Sequence, residues 1–210
     1  MARLFSLRPQ RDDKANRKYS QHTGQIVVTE TRYANRGMEF DYTLDYSAID
    51  FRQHPELYRI GRGEQGVLSV EPYKSEILPL WRFRTLEVAR KSAEEIYALY
   101  LRYKAGNDFV GMDMARKFLQ MGWTRSLRYF NHKSGKKYVG PVPVERKGQS
   151  GAWGREVAPF ERDPEKLLCA QVFKKYLDMV REDPEYLAGV QRHQQSHDPL
   201  PLERKSRGRK

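Results

Sequence analysis

Eight basic side chains crowd one short stretch of the chain: Arg116, Lys117, Arg125, Arg128, His132, Lys133, Lys136 and Lys137. Cations at that density suit the neutralisation of a phosphate backbone. If Trp123 to His132 is a helix, Trp123, Leu127 and Phe130 share one arc, and Arg125, Arg128 and His132 share the opposite one. The first arc would dock on a core and the second would face outward. Lys133, Lys136 and Lys137 then flank Gly135, in a loop whose backbone can approach phosphates closely. Tyr129 and Tyr138 are interleaved and can stack on bases or sugars. The combination predicts a nucleic-acid backbone binder, DNA slightly ahead of RNA, or a protein that holds another polyanion. The plainer reading is a solvated basic face, or one that meets an acidic protein partner.

A second basic set, Arg59, Arg62, Lys74 and Arg82, surrounds Gly61-Arg-Gly-Glu-Gln-Gly66. The glycine spacing matches a dinucleotide-binding loop, but that fingerprint needs a helix after it, and Val67 to Pro72 reads as a strand. Nor does any His-Arg-Asp or Asp-Phe-Gly follow, as a kinase glycine hairpin would require. A tight turn with glycines at positive φ is the reading preferred. An alternative enzyme would bring Arg59, Arg62, Lys74 and His132 to one pocket with acids such as Asp41, Asp45, Asp50 and Glu71. It would act on a phosphorylated or nucleic-acid substrate. His193 and His197 have helical i, i+4 spacing without the Glu of a zinc-protease helix, and read as a surface pair. Cys169 reads as a packed thiol. No metal and no cofactor is expected, and the balance leans away from an enzyme.

Charge counted by segment separates these regions. The 210-residue chain has a net charge of +12. Residues 1–37 carry +5, residues 111–150 carry +7 and residues 198–210 carry +3, while 38–110 and 151–197 are slightly acidic. No apolar run suits a bilayer, and a lone cysteine permits no internal disulfide, so a cytoplasmic protein, or a nuclear one in a eukaryote, is expected. The Arg-rich start faintly resembles an organelle presequence, against which Pro9, Asp12 and Asp13 argue.

The elements that must position these residues follow from periodicity. The expected fold is α+β: a small antiparallel sheet packed on a helical bundle, with basic disordered tails. Strands are read at 24–33, at the alternating Phe40-Asp-Tyr-Thr-Leu-Asp-Tyr46, and at Val67 to Glu71. A helix begins after Thr85 and ends near Gly106. A second runs from about Asp108 to Met121, closed by Gly122, with Asp113, Arg116, Lys117 and Gln120 as its polar stripe. A third, short helix covers Trp123 to His132, which would permit a weak helix-turn-helix reading. Residues 139–160 are a loop or linker. Asp163-Pro-Glu and Asp183-Pro-Glu each signal a helix start. The domain is set at 38–192, between a mostly disordered extension at 1–37 and a tail at 193–210.

Two long runs carry a resemblance. Phe40 to Leu68 with Val70 to Pro79, and Val110 to Arg125 with Asn131 to Tyr138, resemble a family of small proteins from bacteria, phages and some eukaryotes. It is classified only as a domain of unknown function. The resemblance covers about residues 38–192 and implies one intracellular module, with no catalytic residue carried over.

Overall fold

A computed structural model of the chain describes residues 44–146 and 151–197. Among the described residues five α-helices make the fold: α1 (Tyr73–Ile77), α2 (Leu86–Ala105), α3 (Phe109–Asn131), α4 (Pro164–Glu182) and α5 (Pro184–His197). The long α3 packs against both α2 and α4, which also pack on each other, and α1 and α5 cover its flanks. The core lies along α3, from Val110 through Met114, Phe118 and Met121. It meets Ala93, Ile96 and Tyr100 of α2 and Cys169, Phe173 and Leu177 of α4.

Local chemistry starts these helices where the sequence signals them. The Thr85 hydroxyl accepts from the Val88 amide at 3.3 Å, and the Asp108 carboxylate accepts from Gly111 at 2.9 Å. Asp163 and Asp183 each accept from the amide of the glutamate two residues on, with a proline in the first turn, where its missing N–H costs nothing.

The expected sheet does not form among the described residues. Among the described residues there is no strand, only an isolated antiparallel bridge between Tyr138 and Val157. The stretch read as a strand at Val67 to Glu71 is coiled into helical turns: Val70 N–H donates to Gly66 O and Lys74 N–H to Val70 O. Val67, Val70, Tyr73 and Ile77 are all buried. Their spacing of three, three and four is helical, and that burial outweighs the β preference of two valines. Leu44 to Tyr46 lie in a bend and turn, with Tyr46 stacked on Phe51 at 5.5 Å. The strand expected at 24–33, the start of the one at 40–46, the extension at 1–37 and residues 198–210 of the tail fall outside the described residues, whereas residues 193–197, expected as disordered tail, belong to α5.

The second and third helices are one. α3 runs unbroken through Gly122, so there is no helix-turn-helix. A β-carbon at Gly122 would collide with the Phe173 ring. The glycine therefore serves close packing of α3 on α4, and its helical backbone ends nothing.

Candidate nucleic-acid interface

The middle of α3 carries the charges that sequence periodicity assigns to a polar stripe, and the structure buries them. Asp113 and Lys117 are 0% exposed and Arg116 is 7% exposed. The Arg116 Nε donates to Asp113 Oδ1 at 2.8 Å, and the Lys117 ammonium lies 3.7 Å from Oδ2. The hydroxyls of Tyr58 and Tyr186 donate to the same carboxylate, Tyr186 at 2.6 Å. The cations then reach back to the glycine turn. Arg116 donates to Gly63 O at 3.0 Å, and Lys117 to Gln65 O at 2.7 Å. Gly63 and Gly66 of that turn have φ of 59° and 77°.

Burial alone would raise the Asp113 carboxyl, but the charges of Arg116 and Lys117 and the hydrogen bonds from Arg116 and Tyr186 hold it far below the usual carboxylate range. Burial pulls the Lys117 ammonium down to about 8, against the attraction of Asp113. Burial, reinforced by Asp113, pushes the Tyr58 and Tyr186 hydroxyls up. This cluster clamps the 58–66 turn and α5 to α3. It leaves Arg116 and Lys117 no surface on which to meet a ligand.

The last turns of α3 differ. Arg128 is exposed and Arg125 half-buried, and among the described residues neither donates a side-chain hydrogen bond nor forms an ion pair. Burial and then repulsion from Arg125 lower the Arg128 guanidinium, and Glu64 only partly offsets this. Glu64 is itself held by the Thr124 hydroxyl. Beyond the helix, Lys133, Lys136 and Lys137 are all exposed. They flank Gly135, at φ 68°, where a β-carbon would stand 2.5 Å from the Tyr129 ring. A side chain there would meet both left-handed strain and the ring, so glycine brings the loop back onto the helix. Tyr129 is therefore a packing residue, against Gly135 and against Phe83 at 5.7 Å.

His132, expected on the outward arc, is 4% exposed, with Nδ1 3.1 Å from Pro159 O. The returning chain covers it. Ala158 N–H donates to Lys137 O, Val139 N–H to Glu156 O, and Glu161 N–H to Asn131 O. Residues 156–161 thus run back along 131–139. Sequence reasoning treated 139–160 as a linker and missed the residues this return supplies. Arg155 sits 5.0 Å from the Tyr138 ring centre, and Phe160 packs on His132 at 5.1 Å. The signal the sequence carried was an arginine and a phenylalanine, Arg155 and Phe160, inside that loop.

The second basic set is occupied elsewhere. Arg59 donates to Glu56 O at 2.7 Å, Lys74 pairs with Glu71, and Arg82 donates to Leu78 O and Trp81 O. Arg62 is exposed beside the turn. A hollow lined by Glu76, Leu80, Leu99, Arg102 and Tyr103 contains none of them. His193 is buried, its Nε2 2.9 Å from Tyr58 O, which removes it from a surface pair. Cys169 is buried and free, and burial pushes its thiol up, the opposite of an activated nucleophile. No three His, Cys, Asp or Glu side chains converge as metal ligands among the described residues. No described helix is long and apolar enough to cross a membrane.

A family model described as "Domain of unknown function (DUF4385)" matches residues 41–196. The chain belongs to that family. The DUF4385 match takes in α1 to α4 and all but the last residue of α5, and therefore both the buried cluster and the cationic end of α3. No curated protein and no solved structure matches the chain.

Proposed function

We propose that this DUF4385 protein binds nucleic acid by its phosphate backbone, through the end of α3 and the loop that follows. The observation that supports this is the pair Arg125 and Arg128. Two guanidiniums sit one helical turn apart, near enough to repel, with no acidic partner in an ion pair among the described residues. A phosphate placed between them relieves that repulsion. Lys133, Lys136 and Lys137 extend the same exposed charge, whereas Arg116, Lys117 and His132 are withdrawn into the core. DNA remains slightly ahead of RNA in this reading, with other polyanions as competitors for the same charges.

Five contacting cations set the test. For a labelled 20-base-pair duplex followed by anisotropy, log K against log salt should have a slope of about −4.5. The Arg125→Ala and Arg128→Ala variants should each make it shallower by about 1. Absence of binding to duplex and to single strand alike at low ionic strength, or a slope near zero, would overturn the proposal.

A further inference from the structure

Phe160 is 66% exposed, on a segment tied by backbone hydrogen bonds to the stretch that holds the lysines. Ala158 is bonded to Lys137 and Glu161 to Asn131, so Phe160 is pinned opposite residues 132–136. One side of its ring meets His132 at 5.1 Å, while most of the ring stays in water. Leaving that much aromatic surface wet costs free energy that burying it in the core would recover. A few residues away Tyr138, half-buried, has the Lys137 ammonium 5.4 Å and the Arg155 guanidinium 5.0 Å from its ring centre. The returning segment also exposes Glu156 and Glu161 and so is not itself strongly cationic. It offers the Phe160 ring, and the outgoing segment offers most of the charge.

A paired duplex cannot use those rings, because its bases are already stacked on one another. An unpaired base has a free π-face, and every base has one. We infer that the ligand is single-stranded nucleic acid, with its phosphates on Arg125, Arg128 and Lys133 to Lys137 and an unpaired base stacked on Phe160. Tyr138 and Arg155 offer a second platform beside it. This rests on the phosphate-contact reading above and goes beyond it by choosing strandedness. An acidic protein that covered Phe160 with an apolar side chain would give no preference for single strand over duplex, so that preference separates the two occupants.

The full-length protein is titrated with labelled dT20, rU20 and a 20-base-pair duplex at one salt concentration. Either single strand should bind at least about tenfold tighter than the duplex, and the tighter of the two assigns the sugar. Phe160→Ala should weaken single-strand binding by about tenfold and leave duplex binding unchanged. Phe160→Trp should retain single-strand affinity and add indole emission that dT20 quenches. Equal affinity for strand and duplex, or no effect of Phe160→Ala on either strand, would overturn the stacking and leave the phosphate contacts standing. Failure of all three ligands to bind at low salt would overturn the phosphate contacts themselves.

Discussion

Arg116 and Arg128 stand on one helix, three turns apart, and lead different lives. Arg116 is walled in by Asp113, Gly63 and Gln120. Arg128 looks into water beside a second arginine. The difference lies in what the rest of the chain lays over each. The glycine turn and α5 cover the middle of α3, whereas Phe83 and the returning loop pack on its end without covering Arg128. A count of positive charge treats the two arginines alike. In the structure one holds the fold together, and the other supports a proposal about a ligand.

The largest expected effect is at the centre of the buried cluster. Asp113→Ala strands two buried cations and should cost about 3–5 kcal/mol, read as a lower urea midpoint. If stability were untouched, the cluster would not be the clamp described. Next is a pH effect on the same cluster. Lys117 is held at about 8, below its ordinary 10.5, so between those values the unfolded chain binds more protons than the folded one. Stability should therefore rise as pH goes from about 8 toward 9.5, by on the order of 2 kcal/mol. Below pH 8 this contribution is flat. Above about 10 it is opposed by Tyr58 and Tyr186, whose raised values make the unfolded chain lose its protons first. Lys117→Met should abolish the rise in a pH series of urea melts.

Gly122→Ala comes third. Overpacking against Phe173 should cost about 1–3 kcal/mol, partly offset by the roughly 1 kcal/mol that alanine contributes to a helix. A gain in melting temperature would show that α3 and α4 have room to part. The smallest stability effect is expected at the exposed end. Arg125→Ala combined with Arg128→Ala should change stability by no more than about 0.5 kcal/mol, while duplex affinity at low salt falls by at least about tenfold. A double variant that unfolds like Asp113→Ala would erase the contrast between the two regions.

Much of the helical frame was legible in the residues. Thr85, Asp163-Pro164 and Asp183-Pro184 start helices as their chemistry requires, since an N-cap oxygen and a proline at the first position act within one turn. Trp123 packs on the core as its arc predicts, but Leu127 and Phe130 are only half-buried, as is Arg125 from the opposite arc. Local chemistry could not show that Val67 and Val70 would coil, because their preference is set by the surface they pack on. It could not show that Gly122 continues a helix, because a glycine that ends a helix and one that admits a neighbouring ring look alike in sequence.

The candidate site divides the same way. The amino-acid sequence by itself determined where the cations are, which segments carry net charge, and where helices begin, all properties of residues within a few positions of one another. Only the tertiary structure decided which cations remain in water. It joined Tyr58, Gly63, Gln65 and Tyr186 around Asp113, and it brought Arg155 and Phe160 back to Lys137 and His132. Burial of a charge depends on contacts far apart in the chain, and that is why an evenly basic stretch became half core and half surface.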